Sequence, residues 1–163
     1  MKVCDVMTKM IDLSEGHHQR IAHFMRVHNY ARTIGEAEGL DADTLLTLEF
    51  AAVIHDISIP TCMVKYGKAS GDLQEAESEP LVRAFFEGTD VEPERVDRIA
   101  WMISHHHSYD NVVGIDYQIL LEADYLVNAE GQKDHPEAIS AFEANVFKTA
   151  CGKHLLESIY LRG

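Results

Sequence analysis

Residues 45–60, LLTLEFAAVIHDISIP, place an adjacent histidine and aspartate at the end of an apolar segment. Its apolar residues recur at helical spacing, and the histidine shares their face, which comprises Leu45, Leu48, Ala52 and His55. The next residue, Asp56, points about 100° away on an ideal helix. Both side chains can reach one ion only at a helix end, and residues 57–60 supply that end.

Two further predicted helices carry a ligand-type side chain on an apolar face. One face contains a histidine and consists of Ile21, Phe24, His28, Ala31 and Gly35. The other contains an aspartate and consists of Tyr117, Leu120, Asp124 and Val127. An ionised carboxylate in an apolar stripe is expensive to desolvate unless it is paired or coordinates a metal. Three helices that each turn such a residue toward one core can surround a cation.

Composition excludes several classes of function. The chain has 163 residues, 46% of them hydrophobic, which suffices for one domain with a real core. With 14 Lys and Arg against 27 Asp and Glu, its formal net charge is −13. We therefore expect no polynucleotide or membrane partner, since both require a basic surface, and no apolar run suggests a membrane span. Three cysteines without CxxC spacing predict reduced thiols and a cytoplasmic location.

The chain predicts an all-α fold, because no segment alternates like a strand. Capping residues, glycines and prolines mark the helices. The predicted helices are 17–38, 41 or 43 to 56, 74–87, 93–106, 116–130, one that begins at Pro136, and 153–161. Residues 57–72 contain Pro60, Gly67 and Gly71 and predict a loop. Asp41 and Asp43 are the candidate N-caps of the second helix.

The order of these residues resembles a known pattern. His28, then His55 and Asp56, then Asp124 on successive helices resembles the H…HD…D pattern of the HD superfamily of metal-dependent phosphohydrolases. The local segments RVHNYARTIGEAEGLD, AAVIHDISIP and YQILLEADYLVNAEG also resemble HD-domain segments. Two further segments, KYGKASGDLQEAE and SHHHSYDN, resemble a bacterial subfamily of uncharacterised HD hydrolases. It implies a single HD domain over residues 1–163, a bundle of about six to seven helices. The core is 21–130 and the C-terminal helices lie within 135–161.

The resemblance implies a metal centre and a reaction. His28, His55, Asp56 and Asp124 would bind one divalent ion, with Fe, Mn, Zn, Co, Ni and Mg all compatible. A metal-activated water would cleave a phosphomonoester, phosphodiester or anhydride bond of a small phosphorylated metabolite, with nucleotides among the candidates.

A second ion is implied by relatives that hold two metals. There a His-His pair closes the helix before the last aspartate, so His105 and His106 are predicted as metal ligands or catalytic residues, and His107 is less favoured. Glu77 is predicted as a general base or a ligand of the second ion. Alternatively, the histidines only complement the end of a helix, and Glu77 is solvated. His23, five residues before His28, is predicted to face away from the ion.

Three cations are predicted to bind the substrate phosphate. Arg32 follows His28 by one turn, and Lys65 and Lys68 lie in the predicted loop after Asp56. The alternative is that they are ordinary solvated side chains.

Departures from defined HD families narrow the substrate. Asp56 is not followed by the acidic pair of guanosine tetraphosphate hydrolases, and the GYP element of cyclic-di-GMP phosphodiesterases is missing. Two alternatives remain open. A di-iron oxygenase would use His105, His106 and Glu77, and a metal-bound sensor or interaction module would have no turnover.

Overall fold

The computed structural model describes residues 1–162, which form helices and no strand. The nine α-helices are α1 (Val3–Leu13), α2 (His18–Ala37), α3 (Ala42–Ile54), α4 (Ile59–Tyr66), α5 (Gly71–Phe86), α6 (Pro93–Ile103), α7 (Ile115–Asn128), α8 (Pro136–Val146) and α9 (Ala150–Leu156). A 3₁₀ turn follows α7 at Ala129–Gln132, and a π-helical turn extends α9 at Glu157–Leu161. The predicted all-α class is confirmed.

The predicted number of helices is too low. Residues 55–58 are all that separates α3 from α4, so the described chain has nine α-helices, or eight if these two are counted as one. One addition is α1, whose Val6 and Met10 are spaced four residues apart and are buried. This short stripe lies before the first helix that the sequence predicted.

The other addition is α4, which replaces most of the predicted loop. Pro60 stands in the first turn of α4, where its missing N–H costs nothing and its fixed φ favours the helix. Gly67 ends the helix with a φ of 70°, and its N–H donates to the carbonyl of Met63. The prediction was wrong because it treated the proline and glycine as loop residues rather than as the start and stop of a helix.

Helices α2, α3 and α7 surround the core. α2 and α3 form an antiparallel hairpin with a short connection, and α7 packs against both. The Asp41 carboxylate caps α3 by accepting from the N–H groups of Asp43 and Thr44, which confirms Asp41 as the N-cap. The apolar stripes of these helices meet at fully buried residues that include Phe24, Val27, Leu48, Ile54 and Leu120. The three ligand-bearing helices are thus neighbours.

One helical stretch, residues 42–66, is long and apolar enough to cross a membrane by length and composition alone. In this fold 61% of its apolar window is buried inside the protein. Burial of that kind is what the core helix of a folded domain shows.

Helix α7 is anchored to α9 through Glu122, which is fully buried. Its Oε1 accepts from the Gln118 amide and from the backbone N–H groups of Lys148 and Thr149. Its Oε2 accepts from the Thr149 hydroxyl, which in turn caps α9. Asp124, two residues farther along α7, projects from the opposite side of the helix. Glu122 therefore fixes the helix that delivers Asp124.

We expect Glu122→Ala to lower the free energy of unfolding by about 2–4 kcal/mol, because several buried donors lose their charged acceptor. Urea denaturation measures this. The matched control is Glu94→Ala on the exposed face of α6, which should change stability by no more than about 0.5 kcal/mol. Equal stability of the two variants would contradict an anchoring role for Glu122.

Candidate metal centre

The centre begins where α3 ends. His55 is fully buried, and its Nδ1 lies 2.9 Å from the carbonyl oxygen of Ala52. Because a carbonyl oxygen only accepts, Nδ1 carries the hydrogen and Nε2 presents its lone pair to the interior. The chain leaves the helix at this point, so the Asp56 carboxylate turns toward the same space.

His23 of α2 and Asp124 of α7 complete a compact group around His55. His23 Nε2 lies 3.1 Å from His55 Nε2 and 3.3 Å from Asp56 Oδ2. Asp124 Oδ1 lies 3.1 Å from His23 Nε2 and 3.5 Å from His55 Nε2. The distance from His55 Nε2 to Asp56 Oδ2 is 3.3 Å. We call these four residues the primary cluster.

The spacing of the primary cluster fits a first-row divalent metal. Ligand atoms about 2.1 Å from one ion lie about 3.0 Å apart at octahedral corners and about 3.4 Å apart at tetrahedral ones. The five distances above fall within or close to this range. Two imidazole nitrogens and two carboxylates are also a donor set that such ions prefer. Asp124 Oδ1 is buried, and although it lies 3.1 Å from His23 Nε2 the two atoms lack hydrogen-bond geometry. A buried oxygen left in this way is suited to binding a metal ion.

The electrostatics of the primary cluster favour a positive charge at its centre. Burial opposes the charged form of His55, but the Asp56 and Asp124 carboxylates outweigh it and raise the pKa of His55 well above its usual value. Burial likewise disfavours ionised Asp124, yet His23 and His55 lower the pKa of that carboxyl. Carboxylates that stabilise a protonated imidazole here would also stabilise a bound cation.

A second group of possible ligands adjoins the first. Potential ligand atoms of Asp56, His106 and His107 lie within 4.8 Å of one another. His106 Nδ1 donates to the carbonyl of Ile103, which leaves Nε2 free at 3.7 Å from Asp56 Oδ1. Nε2 atoms of both His106 and His107 are buried and have no hydrogen-bond partner in residues 1–162. Asp56 thus turns Oδ2 to the primary cluster and Oδ1 to this second group.

Helix α5 holds His107 in place. The Glu75 carboxylate accepts from the His107 N–H and from the Ser108 hydroxyl. Gly71, at the start of α5, lies so close to the imidazole that an added Cβ would come within 2.9 Å of His107 Cγ. The absence of a side chain at Gly71 is what allows this contact.

Comparison with known proteins agrees with this geometry. The family model of the HD domain matches residues 20–144, which include the primary cluster and the second group. The chain belongs to the HD-domain family. A solved structure of a predicted HD superfamily hydrolase from an uncultured Thermotogales bacterium superposes with a TM-score of 0.70 at 21% identity, covering 96% of this chain and 84% of that one. That likeness supports the fold. The curated proteins give no match.

The first histidine of the HD pattern is His23 in this geometry, and the prediction of His28 needs correction. His28 lies five residues, or about 7.5 Å, farther along α2. Its Nε2 is 2.9 Å from the Glu49 carboxylate, which also accepts from Arg32 at 3.5 Å. His28 links α2 to α3 and is not part of the primary cluster.

The histidine pair after α6 shifts by one residue from the prediction. His105 is exposed, its ring stacks on Trp101, and its Nδ1 donates to the Trp101 carbonyl. His106 and His107 are the two histidines that contribute to the second group. Of the predicted pair, His106 is in place and His105 faces elsewhere.

The remaining predicted residues lie outside both groups. Glu77 binds the Lys65 ammonium and the Tyr66 hydroxyl, each at 2.6 Å, and these contacts lower the pKa of Glu77. Lys65 belongs to α4 rather than to a loop, and Lys68 is exposed between α4 and α5. Arg32 bonds to Glu36 and Glu49. The substrate role of Arg32, Lys65 and Lys68 stays a prediction, whereas Glu77 has no contact with the primary cluster.

Helical periodicity alone could not separate His23 from His28. The buried stripe of α2 is formed by Phe24, Val27, Ala31, Ile34 and Gly35. The two histidines flank the centre of that stripe at about 70° on either side. The register of the hairpin does separate them. Counting equally from the turn at 38–41 places His55 beside residues 23–24 and His28 beside residue 51, close to Glu49.

We expect His23→Ala to lose metal affinity and His28→Ala to retain it. Loss of a hydrogen-bond partner behind a metal ligand typically weakens metal binding by about 10–100-fold. Removal of a ligand itself should weaken metal binding by more than this. Metal content after dialysis, measured by inductively coupled plasma mass spectrometry, distinguishes the two variants. Loss of the metal from His28→Ala with full occupancy in His23→Ala would reverse the assignment.

Proposed function

We propose that this HD-domain protein is a metal-dependent phosphohydrolase of small phosphorylated metabolites. The observation that carries the proposal is the primary cluster, in which two imidazoles and two carboxylates stand at metal-ligand spacing in the family pattern. Membership of the HD family and the HD-hydrolase neighbour support hydrolysis. That the substrate is a phosphate ester is a more specific claim than hydrolysis, and it has separate support. Its support is the preference of the HD pattern for phosphoesters and a net charge of −13 that disfavours polynucleotides.

The roles of the residues follow from their positions. His23, His55, Asp56 and Asp124 would hold one divalent ion, and Asp56 with His106 and His107 could hold a second. A bound ion supplies Lewis acidity, which lowers the pKa of water and offsets charge on the phosphoryl oxygens. The Nδ1–H bonds of His55 and His106 to backbone carbonyls fix both rings with Nε2 directed inward. The free Nε2 atoms of His106 and His107 can otherwise exchange a proton with the substrate or water.

Phosphate release tests the proposal. Protein loaded separately with Mn²⁺, Fe²⁺, Co²⁺ or Zn²⁺ is screened against nucleotides and sugar phosphates. We expect Asp56→Asn to lower turnover by about 10³-fold or more, since several kcal/mol of transition-state stabilisation are lost. The matched control is Asp134→Asn, an exposed residue outside both groups, which should keep wild-type turnover. Equal turnover in both variants would contradict hydrolysis at this centre.

The number of ions is tested by a double substitution. We expect His106→Ala/His107→Ala to reduce the metal content from two ions to one, because Asp56 would retain only the primary cluster as partners. Metal content per chain, measured beside the wild type under the same dialysis, gives the answer. An unchanged content would restrict the two histidines to proton transfer or substrate binding.

The two alternative functions predict other outcomes. A di-iron oxygenase would use His105, His106 and Glu77, of which only His106 is in either group. It would require O₂ and show a visible absorption band after anaerobic reduction and exposure to O₂. A sensor would bind metal and release phosphate from none of the compounds. Phosphate release that continues without O₂ favours the hydrolase.

A further inference from the structure

A groove lies on the side of the fold formed by α1, α2 and α4. One part has a volume of about 640 Å³ and adjoins a second part of about 300 Å³ that reaches α5. Both parts are lined by the same five residues, which are Leu13, Ser14, Arg20, Pro60 and Thr61. They therefore form one continuous feature, which we call the α1–α4 groove.

The α1–α4 groove presents apolar side chains to solvent. Leu13 is 52% exposed, Met63 51% and Val64 88%. The deeper part of the groove is lined by Met10, Leu81 and Phe85. Adjacent exposed apolar side chains of this kind gain free energy when an apolar group covers them.

A cation without an acidic partner stands in this groove. Arg20 is half-buried, and within residues 1–162 its guanidinium takes part in no ion pair. The groove is also lined by Lys9, whose ammonium donates to the Phe85 carbonyl, by Lys65, which pairs with Glu77, and by one carboxylate, that of Glu15. Of the other six arginines, Arg162 bonds to the Ser158 hydroxyl, and five pair with a carboxylate, namely Arg26, Arg32, Arg83, Arg95 and Arg98. In a chain with a net charge of −13, a guanidinium left free beside an apolar surface complements an anionic group on a ligand.

Two segments of the chain that line the α1–α4 groove also carry residues of the primary cluster. Arg20 precedes His23 by three residues on α2, so the two side chains lie on neighbouring positions of one helix face. Ile57, Pro60 and Thr61, which line the groove, follow Asp56 by one, four and five residues. The four residues of the primary cluster do not line the groove themselves, so the groove adjoins the centre along α2 and along residues 57–61 rather than containing it.

We infer that the α1–α4 groove binds the organic part of the substrate, and that this substrate is an amphipathic phosphate ester whose anionic group pairs with Arg20. The inference rests on the proposed function and adds to it the chemical class of the substrate. Leu13, Met63 and Val64 contact the apolar part, and Arg20 neutralises the anionic part. A sugar phosphate would leave the apolar surface uncovered and should bind more weakly.

Calorimetric titration of chelator-treated protein tests this without metal or turnover. The probes are octyl phosphate below its micellar concentration, methyl phosphate and octyltrimethylammonium. We expect octyl phosphate to bind at least about tenfold more tightly than either of the others, since only it offers both an anion and an alkyl chain. Arg20→Gln and Val64→Ser should each weaken octyl phosphate binding by about fivefold or more.

The matched control is Arg83→Gln on α5, outside the α1–α4 groove, which should bind octyl phosphate like the wild type. Equal affinity for octyl phosphate and octyltrimethylammonium, or an unchanged affinity in Arg20→Gln, would overturn the inference. So would a dimer that Val64→Asp dissociates, because a second copy would then cover the groove. Octyl phosphate binding without phosphate release from any ester would overturn the proposed hydrolase and leave the groove as a binding site for an amphipathic phosphate that is not a substrate.

Discussion

His55 is the residue on which the centre depends, because it is a fully buried imidazole that faces two carboxylates. Its Nδ1–H bond to the Ala52 carbonyl fixes the ring at the end of α3. Asp56 and Asp124 then require a positive charge beside them, since an isolated buried carboxylate costs several kcal/mol. His23, from α2, joins the same point. Three helices that pack through apolar stripes are thereby also joined through one charged cluster.

The fold was largely predictable because the hydrophobic periodicity and the residues that start and end helices agree along most of the chain. The Asp41 cap, the start of α6 at Pro93 and the start of α8 at Pro136 were all readable as helix starts. The errors were at α1, which buries only Val6 and Met10 of its 11 residues, and at α4, which buries only Cys62. Pro60 and Gly67 are compatible with a loop and with a short helix, and only packing against α5 decides between them.

The site was predictable to the level of three residues, namely His55, Asp56 and Asp124, which the structure brings together. The choice between His23 and His28, and between His105 and His107, depended on helix register and on where α6 ends. Helical periodicity decides neither choice. On α2, for example, the two histidines flank the buried stripe symmetrically. Hairpin register contains the information for the first choice. For the second, the deciding contacts come from Glu75 and Gly71, which are distant in sequence.

The central claim is that one divalent ion binds between α2, the end of α3 and α7. A crystal structure of the protein loaded with Mn²⁺, with anomalous scattering data, tests it most directly. The account predicts an anomalous peak in contact with His23 Nε2, His55 Nε2, Asp56 Oδ2 and Asp124 Oδ1. A peak at His28 and Glu49, or no peak at the primary cluster in protein shown to contain Mn²⁺, would contradict it.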